Sequence, residues 1–229
     1  MMKMFKKKLK SPREGATRPE QRNAMSTLYA NLGFMSVDRP LRTIVVTSSV
    51  PNEGKTTVAV GLAQVMAASG KRTLLVECDL RRRSLAGRLE AHAPVGLCAV
   101  VMGEAEPRQA IVGTRQPRLH FLDAEAGVAS PVDILDSERF RRLLSCLAAR
   151  YDHVVIDTPP VGTFVDAAVI AQAADATLLV VREGFTERAS VESASDQLRK
   201  AGANVVGTVM NCCDAAVSSY YAAYEDREG

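Results

Sequence analysis

The string Ser49-Val50-Pro51-Asn52-Glu53-Gly54-Lys55-Thr56 sets a glycine, a lysine and a hydroxyl residue in succession, directly after the β-branched run Thr43-Ile44-Val45-Val46-Thr47. A continuous run of that kind, bounded by polar residues, reads as a buried strand, and a helix is expected to begin near Lys55. Strand, loop and helix in that order make a cradle for phosphate, because backbone N–H groups of the loop and of the helix N-terminus converge on phosphate oxygens. Lys55 then reaches the outer phosphates and the Thr56 hydroxyl coordinates Mg²⁺. Ser49 stands where the usual G-x-x-x-x-G-K-[ST] pattern has its first glycine, so the assignment rests on the strand–loop–helix setting as well as on the string. The ligands expected are ATP and Mg²⁺.

A phosphate cradle also needs carboxylates to hold the metal and to handle the attacking group, and in doubly wound sheets these lie at the carboxyl ends of neighbouring strands. Thr73-Leu74-Leu75-Val76 runs into Glu77-Cys78-Asp79-Leu80-Arg81, and Val154-Val155-Ile156 runs into Asp157-Thr158-Pro159-Pro160. Lys55, Glu77, Asp79 and Asp157 are therefore the candidate catalytic residues, and Thr56, Asp79 and Asp157 the candidate metal ligands. A loop or cap role is the other reading of an acid that ends a strand. His92, His120 and His153 are scattered without ligand spacing and read as structural or solvent-facing. Asp166 and Asp175 read as helix caps.

The elements that must position these groups follow from periodicity. Val58, Leu62, Val65, Met66 and Ser69 mark one face of a helix that stops at Gly70, a favourable left-handed cap. Further strands are predicted at Arg118–Leu122, Thr177–Val181 and Asn204–Met210, with helical segments between. Phe140, Leu143, Leu144 and Leu147 form a core-facing stripe in a helix from Ser137 to Arg150, and a short amphipathic helix is predicted from Ala24 to Phe34. Alternation of this kind implies an α/β fold, a single doubly wound and mainly parallel sheet with helices on both faces.

At 229 residues the chain accommodates one such domain with tails. Hydrophobic residues at 47% and charged residues at 24% exclude a disordered chain, and no apolar run approaches the ~20 residues that cross a bilayer. No apolar stretch follows the basic opening as a signal peptide requires, so a cytoplasmic location is expected. The five cysteines are odd in number and lack metal-ligand spacing, which favours reduced thiols, and the adjacent Cys212 and Cys213 read as packing residues. The expected organisation is a flexible basic arm over 1–22, a domain over 23–213 and a flexible tail over 214–229. The net charge of +3 is concentrated in the arm, which is either a solvated tail or an electrostatic attachment to an anionic membrane surface or acidic partner. No nucleic-acid partner is expected.

With these residues in place, the stretch from Ala24 to Tyr224 resembles the bacterial tyrosine autokinases that regulate capsule and exopolysaccharide synthesis, P-loop kinases related to the septum-positioning and partitioning ATPases. Ser48 to Thr57 is similar to their Walker A loop, Glu77-Cys78-Asp79-Leu80-Arg81 to their D-x-D-x-R box, and Ile156-Asp157-Thr158-Pro159-Pro160 to their Walker B end. The resemblance adds Thr57 to the nucleotide-binding loop, places Asn211 facing the adenine and brings Arg182 near the nucleotide. It implies autophosphorylation in trans at Tyr220, Tyr221 and Tyr224, self-association, a separate membrane-embedded chain-length regulator as activator, recruitment to the inner face of the cell membrane, and a cognate phosphatase. The tail tyrosines could instead cover a local apolar patch on a last helix. Glu77 stands where the family has the aspartate proposed as base; Glu77 or Asp79 would accept the hydroxyl proton, and a gain of phosphotyrosine in Glu77→Asp would show that the departure matters. The other reading is a nucleotide-switched positioning or assembly ATPase that phosphorylates no protein.

Overall fold

The buried runs fold as strands that carry apolar side chains on both faces, which is what a sheet covered by helices on each side demands. The computed structural model describes residues 19–35 and 40–213. In chain order the elements are α1 (Pro19–Met35), β1 (Thr43–Ser48), α2 (Lys55–Ala68), β2 (Thr73–Glu77), α3 (Leu85–Leu89), α4 (Leu97–Met102), α5 (Pro107–Ala110), β3 (Ile111–Gly113), β4 (Leu119–Leu122), α6 (Pro131–Leu135), α7 (Glu138–Arg150), β5 (His153–Asp157), α8 (Asp166–Ala171), β6 (Ala176–Arg182), α9 (Arg188–Lys200) and β7 (Val205–Asn211). One sheet of seven strands runs in the order β3-β4-β2-β5-β1-β6-β7. All neighbours are parallel except β3, which pairs antiparallel with β4 at the edge.

Alternate residues of each strand feed opposite layers. Ile44, Val46, Leu75, Phe121, Val155 and Leu178 join Leu62 and Met66 of α2 on one face, with Met25, Leu28, Tyr29 and Leu32 of α1 packed outside them. Val45, Leu74, Val76, Val154 and Ile156 meet Phe140, Leu143, Leu144 and Leu147 of α7 on the other. Towards β6, Leu179 and Val181 pack with α8 and α9. The α1 helix approaches α2 closely at Gly61, where a Cβ would lie 2.9 Å from Met25 Cγ.

Most boundaries expected from periodicity hold within one or two residues, and the departures have local causes. The fourth strand begins at Leu119, one residue after the expected Arg118, because Arg118 has φ +66° and its carbonyl accepts the Thr73 N–H at 2.9 Å. α1 starts at Pro19, inside the stretch expected to be an arm, with proline at the helix start where its missing N–H costs nothing. Ser69 is exposed, so the α2 stripe ends at Met66, and Gly70 takes the left-handed conformation at φ +84°. Cys212 and Cys213 are both exposed and do not pack as expected, since they follow the end of edge strand β7; all five cysteines are free thiols. Among the described residues no helix is long and apolar enough to cross a membrane. Most of the expected arm, and the expected tail with Tyr220, Tyr221 and Tyr224, lie outside the described residues.

Candidate phosphate-transfer site

The carboxyl ends of β1, β2 and β5, three adjacent central strands, bring the candidate residues together. The loop after β1 turns through Asn52 and Gly54 in left-handed conformations, at φ +68° and +91°. Gly54 has a φ that residues with side chains rarely adopt, and a Cβ there would lie 2.0 Å from Asn211 Nδ2 and displace that amide. That amide donates to the Glu53 carbonyl at 2.8 Å, so Asn211, at the end of β7, clasps the loop. Glu53 is fully buried and its carboxylate draws the loop inward, accepting from the Val50 N–H at 2.7 Å, the Arg182 N–H at 3.3 Å and the Thr186 hydroxyl. Arg182 therefore meets this site through its backbone, while its guanidinium stacks on the Phe185 ring at 4.9 Å. No side chain caps the first turn of α2, which leaves its N–H groups for an anion.

The Asp157 segment is stitched to the same loop. Thr158 donates its hydroxyl to the Val46 carbonyl at 3.0 Å, Thr47 donates to the Pro159 carbonyl at 2.9 Å, and the Val161 N–H reaches the Ser48 carbonyl at 2.8 Å. A Cβ at Gly162 would lie 2.3 Å from the Ser49 carbonyl, so this crossing also excludes a side chain.

Three carboxylates converge here in different surroundings. Glu77 and Asp157 are fully buried and face each other across the β2–β5 ladder as direct register partners. Glu77 accepts from the backbone N–H groups of Asp79 at 3.2 Å, Ser84 at 2.8 Å and Leu85 at 3.0 Å, folding the turn that follows β2 onto itself. Burial, and then the Asp157 charge, push Glu77 up to about 7 against those three donors. Asp79 accepts from Lys55 Nζ at 3.0 Å and from the Arg82 N–H at 2.9 Å. Asp157 is pushed up to about 6 by burial, with the Lys55 charge and the Thr56 hydroxyl pulling it down. Neither of its carboxylate oxygens meets the distance and angle of a hydrogen bond from any described donor.

Such an acid is costly to bury unless a cation completes it. The hard oxygen donors of Thr56, Asp79 and Asp157 therefore fit a magnesium ion, and the uncapped loop and helix end fit phosphate.

Lys55, Thr56, Thr57 and Asp79 line one cleft together with Pro51, Asn52, Gly54, Arg81, Arg82, Arg88 and Phe164. Glu77 and Asp157 are both beside this cleft and not on its wall. A roomier cavity opens at the opposite ends of the strands, between Tyr29, Arg42, Arg72 and His153, and none of the phosphate-loop residues lines it. Periodicity and spacing missed the support beneath the cleft. Asp166, expected to cap a helix, is fully buried and receives Arg81 through two hydrogen bonds of 3.3 Å, while Arg81 stacks on Phe164 at 4.2 Å. Asp175 likewise is no cap: its carboxylate accepts from the Arg42 and Thr43 N–H groups and the Thr43 hydroxyl at 2.8–3.0 Å, fixing the start of β1.

A family model described as an AAA domain matches residues 41–199. The tyrosine-protein kinase YwqD of Bacillus subtilis is 31% identical over 214 residues, 93% of this chain and 90% of that protein. The chain belongs to the bacterial tyrosine-protein kinase family. Within that family, the tyrosine-protein kinase CpsD of Streptococcus pneumoniae serotype 4 is 32% identical over 79% of this chain and 80% of its own. The kinase domain of the Escherichia coli tyrosine kinase ETK superposes with a TM-score of 0.79 at 27% identity, over 84% of this chain and 77% of that one. The family's fold and the cleft just described therefore coincide in one α/β sheet.

Proposed function

We propose that the chain is an ATP-dependent protein-tyrosine autokinase of a capsule or exopolysaccharide system, phosphorylating Tyr220, Tyr221 and Tyr224 in trans. The observation that carries this reading is the convergence of Lys55, Thr56 and Asp79 on one cleft with the buried Asp157 beside it, in a chain of this family. Magnesium-bound ATP supplies the phosphoryl group and the leaving group. The loop N–H groups and the α2 terminus bind phosphate oxygens, Lys55 offsets charge on the group in transfer, and Thr56 and Asp157 hold the metal. Asp79, on the cleft wall, accepts the proton of the incoming tyrosine hydroxyl. Glu77 acts one step back, its bond to the Asp79 N–H holding that base in place. Asn211 and Arg182 bound the nucleotide side through the loop they brace.

The proposed partners are a membrane-embedded chain-length regulator that activates the kinase and recruits it to the inner face of the membrane, further copies of the chain, and a phosphatase that resets the tail. Phosphotyrosine mass spectrometry after incubation with ATP, Mg²⁺ and that activator tests the reading. Wild type gains phosphotyrosine, and Lys55→Met or Asp79→Asn lowers the rate by about 10²–10⁴-fold. ATP turnover without any phosphotyrosine in wild type sinks it, and leaves a positioning or assembly ATPase.

A further inference from the structure

Three consecutive arginines follow Asp79 and Leu80, and the fold treats them differently. Arg81 is neutralised by Asp166, and Arg83 pairs with Asp123 at 2.6 Å. Arg82, between them, gives only its backbone N–H to Asp79 Oδ1 at 2.9 Å. Among the described residues no ion pair, hydrogen bond or ring contact engages its guanidinium, which is exposed on the wall of the phosphate cleft. Arg88, on the same wall, donates to the Thr57 hydroxyl at 3.3 Å and makes no ion pair among the described residues, although its charge acts on Asp157.

The two oxygens of Asp79 have different partners. Oδ2 faces Lys55 and the phosphate loop, and Oδ1 faces the Arg82 backbone. Arg82 lines the same cleft as Asp79 and is joined to it through this backbone bond. Of the three tail tyrosines, Tyr220 and Tyr221 are flanked by Ser218, Ser219, Ala222 and Ala223, whereas Tyr224 is followed by Glu225, Asp226 and, after Arg227, Glu228. An extended segment carries its next two residues within about 7 Å of the tyrosine, well inside the reach of an arginine anchored beside Asp79.

We propose, resting on the autokinase reading above, that Arg82 selects the acceptor: it binds the carboxylates that follow Tyr224, making Tyr224 the preferred phosphorylation site. A guanidinium suits this task because its fork matches a carboxylate bidentately. Arg88 adds to the field that draws the acidic segment in and is not required for the selection.

The test measures initial phosphorylation rates at each tail tyrosine by quantitative mass spectrometry, using the full chain with MgATP and its membrane activator. In wild type Tyr224 leads. Arg82→Gln and the double change Glu225→Gln, Asp226→Asn each reduce the ratio of the Tyr224 rate to the Tyr220 rate by about 5–30-fold. Combining them gives no further fall, and Arg82→Glu with Glu225→Lys and Asp226→Lys restores the preference. A ratio unchanged by Arg82→Gln, or losses that simply add, overturns the proposal. A labelled peptide of residues 218–229, titrated onto the full chain with Mg²⁺ and a non-hydrolysable ATP analogue, separates the two layers. Arg82-dependent, salt-sensitive binding without phosphotyrosine in wild type supports the docking and removes the autokinase reading. Phosphotyrosine with no Arg82 dependence in either measurement removes the docking alone.

Discussion

Shortening Glu77 to aspartate sets two readings of the same residue against each other. If Glu77 is a base displaced from its ideal position, Glu77→Asp restores the geometry and phosphotyrosine rises. Its placement argues the opposite. The carboxylate is fully buried, lies off the cleft wall and holds the N–H groups of Asp79, Ser84 and Leu85 at 2.8–3.2 Å. Aspartate withdraws the acceptor by about one bond length from all three donors. At about 0.5–1.5 kcal/mol for each bond, with about 1 kcal/mol for the methylene removed from a packed interior, the loss is about 2–4 kcal/mol after partial relaxation. For a chain of this size each kcal/mol corresponds to about 2–4 °C, so the Tm falls by about 5–15 °C. Thermal melts with a chelator and no nucleotide measure this, and a phosphotyrosine assay on the same preparations, well below the melting range, measures the function. The variant is expected to be less stable and no more active, because the turn carrying Asp79 is loosened. An unchanged Tm with increased phosphotyrosine would refute the reasoning and return Glu77 to the role of base.

Two further outcomes follow from the same geometry. In metal-free protein the folded state holds the Glu77 proton up to about pH 7, against an ordinary value of 4.5, so the contribution of Glu77 to stability is fully present below about pH 4.5 and is lost as pH rises to 7. Glu77→Gln, which keeps an acceptor for Ser84 and Leu85, flattens the decline between pH 6 and 7; Asp157, pushed up to about 6, sustains it below that. Denaturant titrations from pH 5 to 8 check this, and parallel curves for the two proteins would contradict it. Gly54→Ala places a Cβ 2.0 Å from Asn211 Nδ2 in a backbone at φ +91°, and is expected to weaken nucleotide binding about tenfold or more by opening the loop. Fluorescent-nucleotide titration reads that directly, and an unaltered affinity would show that the Asn211 clasp is dispensable.

What sequence made legible is what is local. β1, β2, β5 and β6 announce themselves because strands buried on both faces are continuous apolar runs, and Lys55, Thr56 and Asp157 because they end such runs or begin the helix after one. β3 escaped because Ile111, Val112 and Gly113 are too short a run to carry a period, and its partner β4 supplies what holds it. The acids that brace the cleft escaped for a different reason. Asp166 meets Arg81 from 85 residues away, and Glu53 meets Thr186 from 133 residues away. Nothing beside Asp166 in the chain distinguishes a carboxylate bound for a buried ion pair from one that caps a helix; only the closure of the sheet decides it.

The same logic assigns different chemistry to three acids of nearly identical type. Glu77 meets three backbone donors, Asp79 one donor and a lysine, and Asp157 no geometrically formed hydrogen bond at all. A carboxylate saturated by N–H groups is committed to holding backbone, whatever its pKa. One that shares a lysine at a cleft wall can exchange that partner for an incoming hydroxyl. One buried with neither oxygen in a formed hydrogen bond gains most from a divalent cation, since the Lys55 charge and the Thr56 hydroxyl offset only part of its desolvation. Donor count therefore distinguishes the surroundings of the three acids at adjacent strand ends, and the proposed structural, basic and metal-holding roles rest on that difference. It also explains how a glutamate is accommodated at the first of these positions: the longer side chain reaches the Ser84 and Leu85 N–H groups, which is why the proposed mechanism gives the proton-accepting role to Asp79.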